Sequence, residues 1–152
     1  MAHIVIMGAG LGGLPAAFEM KEALRKEDRV TVVSNSTTFH FVPSNPWVAV
    51  DWRKREDIEL DLATILGRKN IEFSAAGVKR VHPEQNRLEL NDGGTMDDDF
   101  LVIATGPKLA FDEIEGLGPG GHTQSICHVD HAERAAEAWD GFVKDPGPIV
   151  VG

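Results

Sequence analysis

His3-Ile4-Val5-Ile6-Met7-Gly8-Ala9-Gly10-Leu11-Gly12-Gly13 is the stretch whose reading decides the fold. An apolar strand, Ile4 to Met7, runs into glycines spaced Gly8-x-Gly10-x-x-Gly13, and the helix-like segment LPAAFEMKEALRKE follows directly. Strand, glycine turn and helix in that order is what a nucleotide pyrophosphate needs. Gly8 takes the tight turn, Gly10 lets the backbone approach the phosphates, and Gly13 lets the helix pack closely on the strand. The helix N-terminus then offers unpaired N–H groups and the positive end of its dipole to the anion. A strand–helix turn with no ligand is the competing reading.

The chain carries its own control. Gly116-x-Gly118-x-x-Gly121 repeats the spacing, but no β-branched run precedes it, Pro119 interrupts it, and HTQS follows in place of an amphipathic helix. This copy reads as a flexible turn.

Beyond the first turn, Leu14, Ala17, Phe18, Ala23 and Leu24 recur at helical spacing. Val30 to Val33 then reads as a short buried strand, completing a β–α–β unit of about 30 residues. The end of such a second strand usually carries an acid for the adenosine ribose; here the position falls on Ser34 or Asn35. A hydroxyl or amide can bond a ribose without the charge-assisted strength of a carboxylate. Residues 36–55, with Pro43, Pro46, Trp47 and Trp52, read as a long irregular stretch that is either functional or simply fixed to the core. His40 stands isolated there and reads as structural or solvent-exposed. REDIELDLATILGRKN predicts a helix holding Ile58, Leu62, Ile65 and Leu66 on one face.

IEFSAA is a third strand, and GVKRVHPEQNRLELNDGGT turns at Pro83–Asn86 and Asp92–Gly94, predicting an antiparallel meander. Asp97–Asp99 reads as a solvated loop, because consecutive carboxylates on an extended chain point to opposite faces. Phe100 to Ile103 is a fourth strand, leaving at Thr105-Gly106, at the sheet edge where ligands bind in open α/β folds. Asp130 followed by Glu133 has capping-box spacing, so a helix is expected to start at Asp130. Cys127 lies just ahead, where a helix N-terminus can activate a thiol, although a lone cysteine also serves as packing. The fold class expected is α/β: a Rossmann-like doubly wound parallel sheet with a small antiparallel meander inserted. Residues 1–147 form the nucleotide-binding domain. PIVVG resembles Ile4–Gly8, so 148–152 is expected to be the first strand of a truncated second nucleotide-binding domain.

Composition bounds the function. With 42% hydrophobic and 26% charged residues, 152 residues can bury a core, and a net charge of −9 counts against nucleic acid or an anionic membrane as main partner. A single cysteine forms no intrachain disulfide, and no Cys/His cluster has zinc spacing. No apolar run approaches the roughly 20 residues of a spanning helix, and MAHIVIMG carries no signal-peptide pattern. A cytoplasmic protein, or one peripheral on a membrane, is expected.

GAGLGGLPAAFEMKEAL, FHFVPSNPWVAVDW, LVIATGPKLAF, QSICHVDHAERA and PGPIVVG together resemble the sulfide:quinone oxidoreductases, within the two-dinucleotide-domain flavoproteins related to disulfide reductases and type-II NADH dehydrogenases. The strings span the chain; FVPSNPWV and QSICHVDHAERA are the more particular to that branch. The resemblance implies FAD, with the pyrophosphate over Gly8, Ala9, Gly10, Leu11, Gly12 and Gly13 and the ribose near Ser34 and Asn35. It places the adenine on the backbone of Gly77 and Val78, passes the cofactor by Thr105 and Gly106, and sets Pro43 towards the flavin. It further implies sulfide oxidised at a cysteine pair, electrons passed through FAD to quinone, and Cys127 as an additional catalytic cysteine of some members. The pair itself, the second domain and the membrane-contacting helices would lie beyond Gly152, leaving this chain alone inactive. The alternatives are an NADH:quinone reductase, the flavoprotein of a sulfide dehydrogenase–cytochrome complex, or a small non-catalytic nucleotide-binding module.

Overall fold

The computed structural model describes all 152 residues, Met1 to Gly152. The elements in order are β1 (His3–Met7), α1 (Gly13–Ala23), β2 (Arg29–Val33), β3 (Thr38–His40), α2 (Asn45–Ala49), β4 (Glu59–Asp61), α3 (Leu62–Gly67), β5 (Glu72–Ser74), β6 (Val78–His82), β7 (Arg87–Leu90), β8 (Thr95–Asp97), β9 (Phe100–Ile103) and α4 (Val129–Phe142). They fall into two compact units, one of Met1–Phe39 with Leu60–Pro107, the other of His40–Glu59 with Lys108–Gly152.

The first unit is built on a four-stranded sheet in the order β5-β2-β1-β9, every pair parallel. Alternation along the strands sorts the side chains between two faces. Ile4, Ile6, Val30 and Val32 face Leu14 and Ala17 of α1 and Leu62 and Leu66 of α3, and all eight are buried. Val5 and Val33 face the other way, onto Leu88 and Leu90 of β7. The predicted meander is thus real, with β6-β7-β8 antiparallel, and it covers the face that a second crossover helix covers elsewhere. Its turns fall at the predicted places: Asn86 takes a φ of 47° and Gly93 one of 86°. The chain steps outward from β1 to β2 to β5, then returns to place β9 on the far side of β1. That reversal makes the carboxyl ends of β1 and β9 the switch point of the sheet.

Three local expectations need correction. The stretch 36–55 is not irregular throughout, since it contains β3, a 3-10 turn at Val42–Ser44 and α2. The helix expected over REDIELDLATILGRKN is broken: Arg55–Asp57 is a 3-10 turn, β4 follows, and α3 begins only at Leu62. Asp61 sets that start, its carboxylate accepting from Thr64 N at 2.7 Å. Ile58 is thereby freed from the helical face and buried in the second unit with Val48, Val129 and Ala132. Finally, α4 begins at Val129 with His128 at the N-cap and no side-chain cap. Asp130 and Glu133 do not form the capping box, because both carboxylates bind the Arg55 guanidinium, a charge-assisted partner stronger than a neutral N–H.

The acidic run is also more engaged than a solvated loop. Asp97 pairs with Arg87, and the Asp99 carboxylate accepts from His3 N at 2.7 Å. Residues 144–152 contain no strand, and Ile149, Val150 and Val151 are exposed.

Candidate dinucleotide site

The carboxyl ends of β9, β1, β2 and β5 bring four segments of the first unit into a row. At the switch point, Gly8 has a φ of +109° and lies so close to Ala104 that a Cβ would overlap its carbonyl oxygen. The same Cβ would stand 3.0 Å from Thr105 Cα. The glycine turn and the Thr105-Gly106 exit are therefore in contact, and Gly106 continues away with a φ of +72° and open space beside it. On the other side Gly8 N donates to Val33 O at 2.8 Å, tying the turn to the end of β2.

The remaining glycines divide the work as their spacing predicts. A Cβ on Gly13 would overlap Gly8 O, so α1 meets the turn backbone to backbone. Gly10 has nothing within 4 Å of where its Cβ would be. Leu14 N and Ala16 N close the first helical turn on Gly10 O and Gly12 O. The N–H groups of Gly10, Leu11, Gly12 and Gly13 make no hydrogen bond within the protein. No acidic residue stands in the first turn of α1, and Pro15 falls where an N–H has no helical partner in any case. Open N–H groups, a helix dipole and no competing carboxylate together fit a diphosphate.

Next in the row, Ser34 and Asn35 follow β2. Ser34 N donates to Ser74 O and Gly77 N donates to Ser34 O, so the ends of β2 and β5 and the start of β6 share one short network. Ser36 N donates to Ser34 Oγ at 3.1 Å, which leaves the Ser34 hydroxyl proton free for another acceptor. Gly77 has a φ of +66°, and a Cβ there would lie 2.5 Å from Asn91 Nδ2 and 3.1 Å from Asn35 Cβ. Only glycine fits between those two side chains. Val78 begins β6 beside it. Gly8 to Gly13, Ser34, Asn35, Gly77, Val78, Thr105 and Gly106 thus share one edge of one unit. Ala104 and Asn91, which shape that edge, carry no sequence signal of their own.

Pro43 and Cys127 belong to the second unit. Pro43 is exposed in the 3-10 turn before α2, and Cys127 is exposed just before α4, so its thiol is not packing. The His131 ring meets Phe111 tilted, at 5.6 Å, and His128 edge-on, at 5.1 Å; burial first, then the charges of His128 and Arg134, hold its imidazole below the ordinary range. His40 is not isolated: Nε2 meets Glu59 at 2.7 Å, and Arg55 bridges Glu59, Asp130 and Glu133. This network, invisible in the spacing of the residues, fixes α4 to the segment around Arg55.

Residues 2–152 match the pyridine nucleotide-disulphide oxidoreductase family. The chain belongs to that family. It is 35% identical over 150 residues to the sulfide-quinone reductase of Aquifex aeolicus, covering 99% of this chain and 34% of that protein. It is 29% identical over 157 residues to the mitochondrial sulfide:quinone oxidoreductase of Dictyostelium discoideum, covering 99% of this chain and 33% of that one. The crystal structure of the sulfide:quinone oxidoreductase from Aquifex aeolicus superposes with a TM-score of 0.91 at 34% identity, over 97% of this chain and 34% of that one. The chain therefore spans about a third of the length of these relatives. The similarity to sulfide:quinone oxidoreductases seen in the sequence strings holds over the whole chain, and it is that of an oxidoreductase domain.

Proposed function

We propose that this chain is the FAD-binding portion of a flavoprotein that oxidises sulfide and passes the electrons through FAD to quinone. The observation that carries the reading is the row along the sheet edge, which brings together unbonded N–H groups, a helix N-terminus with no acid in its first turn and a serine hydroxyl with a free proton. Gly10 to Gly13 donate to the pyrophosphate, Ser34 and Asn35 to the ribose, and the backbone at Gly77 and Val78 receives the adenine. Thr105 and Gly106 border the cofactor. FAD, when bound, supplies the two-electron step between a sulfur donor and the acceptor. Cys127 contributes a thiol on the sulfide side.

The 152 residues do not complete that chemistry, because a cysteine pair needs two thiols and this chain has one. No helix is long and apolar enough to cross a membrane. Titration calorimetry of the chain with ADP and with FAD tests the proposal. Binding of both, abolished by Gly10→Val in a folded variant, supports it; a folded chain that binds neither overturns it.

A further inference from the structure

The two strings most particular to the chain, FVPSNPWV and QSICHVDHAERA, meet in the second unit, and the residue that joins them is Asn45. Its side chain is fully buried at the first residue of α2. It does not cap its own helix, for Ser44 occupies the N-cap and α2 has no side-chain cap. Its one hydrogen bond runs 81 residues along the chain, from Nδ2 to Ile126 O at 2.9 Å. A carbonyl only accepts, so the amide orientation is fixed by its partner. The other end, Oδ1, is buried with no partner at all.

A buried amide with one end unpaired costs stability that an apolar side chain of the same size would not. What that cost obtains is the position of a single carbonyl, and the next residue is Cys127. Two hydrogen bonds hold the backbone there. Asn45 holds the carbonyl before Cys127, Ser125 Oγ accepts from Cys127 N at 3.2 Å, and α4 begins two residues on, at Val129. Val129 and Ala132 are buried against Val48 and Ile58. The thiol itself is exposed.

We propose that Asn45 is a positioning residue for Cys127, holding the backbone so that an exposed thiol is presented in one orientation instead of moving with a loop. The proposal rests on the reading of Cys127 as a working thiol; it is independent of the glycine turn. Its test is the ratio of Cys127 alkylation rates by small iodoacetamide and bulkier N-ethylmaleimide, compared with the same ratio for a free peptide of residues 124–129. In the native chain the ratio differs from the peptide's at least fivefold. In Asn45→Leu, which removes the donor and the orphan acceptor together, it falls within twofold of the peptide's, while ADP affinity and the unfolding midpoint stay at or above the native values. Asn45→Gln, which keeps a donor, recovers part of the native ratio. If Asn45→Leu does not fold, Asn45→Ala, which also removes both groups, carries the same reading of the ratio. A folded variant with the native ratio overturns the role of Asn45. A native chain whose ratio equals the peptide's removes the positioned thiol as well, and retained ADP binding then shows that the cofactor reading stands apart from it.

Discussion

The two Gly-x-Gly-x-x-Gly copies are closer to one another in local geometry than their surroundings suggest. In each, the first glycine has a positive φ, +109° at Gly8 and +77° at Gly116. In each, the third glycine is packed so tightly on the first that a Cβ would overlap its carbonyl oxygen. The spacing therefore encodes a turn, and both copies make it. They differ in what the turn is joined to. The first lies between a strand buried in a parallel sheet and an 11-residue helix whose N–H groups it leaves open. The second lies in an open loop, where Gly118 N is spent on Thr123 Oγ and Gly121 N on Gly118 O. A phosphate site needs donors with nowhere else to go, and only the strand–helix context supplies them.

The comparison breaks most severely at Gly13. Valine there would drive its branched side chain into Gly8 O, with β1 and α1 both held by the buried core and unable to separate. The expected cost exceeds about 4 kcal/mol, and the chain should lose its cooperative thermal transition. A Gly13→Val protein that unfolds cooperatively near the native midpoint would show that α1 can move away from the turn.

Gly10→Val separates binding from folding. Open space surrounds the missing Cβ, and the backbone φ is not in the left-handed region, so the fold should survive within about 1 kcal/mol of native. ADP binding should fall at least a hundredfold, because the branched side chain occupies the approach to the N–H groups. Unchanged calorimetric affinity in the folded variant would move the phosphate elsewhere.

These contrasts also mark how far the sequence could be read. The unit from β1 to β2 was legible because its signals are local: apolar residues at period two, then at a helical period, with glycines between. Thr105-Gly106 was legible because a strand end in such a sheet lies at the ligand edge whatever its neighbours. The segment from 36 to 61 was not. Ile58 fits the helical stripe of Leu62 and Leu66, but its burial against Val48 and Val129 comes from residues far along the chain. Asp130 and Glu133 fit a capping box, and nothing local announces that Arg55 will outbid the helix for both. Asn45 is the extreme case, since its meaning depends on a carbonyl 81 residues away.

A smaller effect concerns the anchoring of β1, which has no counterpart at the second copy. Asp28 accepts from Ala2 N at 2.7 Å and from Arg25, and is itself buried. The Arg25 guanidinium, then the Ala2 N–H, hold its carboxyl down at about 2. A depressed carboxyl contributes stability that is complete above its unfolded value of about 3.9 and is lost as pH falls through the folded one. The native chain should therefore exceed Asp28→Asn in unfolding midpoint from pH 5 to 7, with the gap closing between about pH 4 and 2. A gap constant across that range would mean that packing, and not the ionised carboxylate, anchors the strand.

The smallest effect on binding belongs to the second copy, and it is the sharpest check on the comparison. Gly120 has nothing within 4 Å of its missing Cβ, so Gly120→Ala meets no steric resistance. Gly121→Ala meets the backbone of Gly116, so the turn must shift; lying in a loop and not between a buried strand and a helix, it should cost about 1–3 kcal/mol, less than Gly13→Val. Neither substitution touches a group at the carboxyl edge of the sheet, and both variants should bind ADP within twofold of the native chain. The strain at Gly121 matters because it resembles that at Gly13: one kind of overlap, unequal consequences. Should Gly121→Ala abolish ADP binding in a chain that still unfolds cooperatively, the second turn would hold the phosphate, and the strand–helix context would not be what separates a site from a turn.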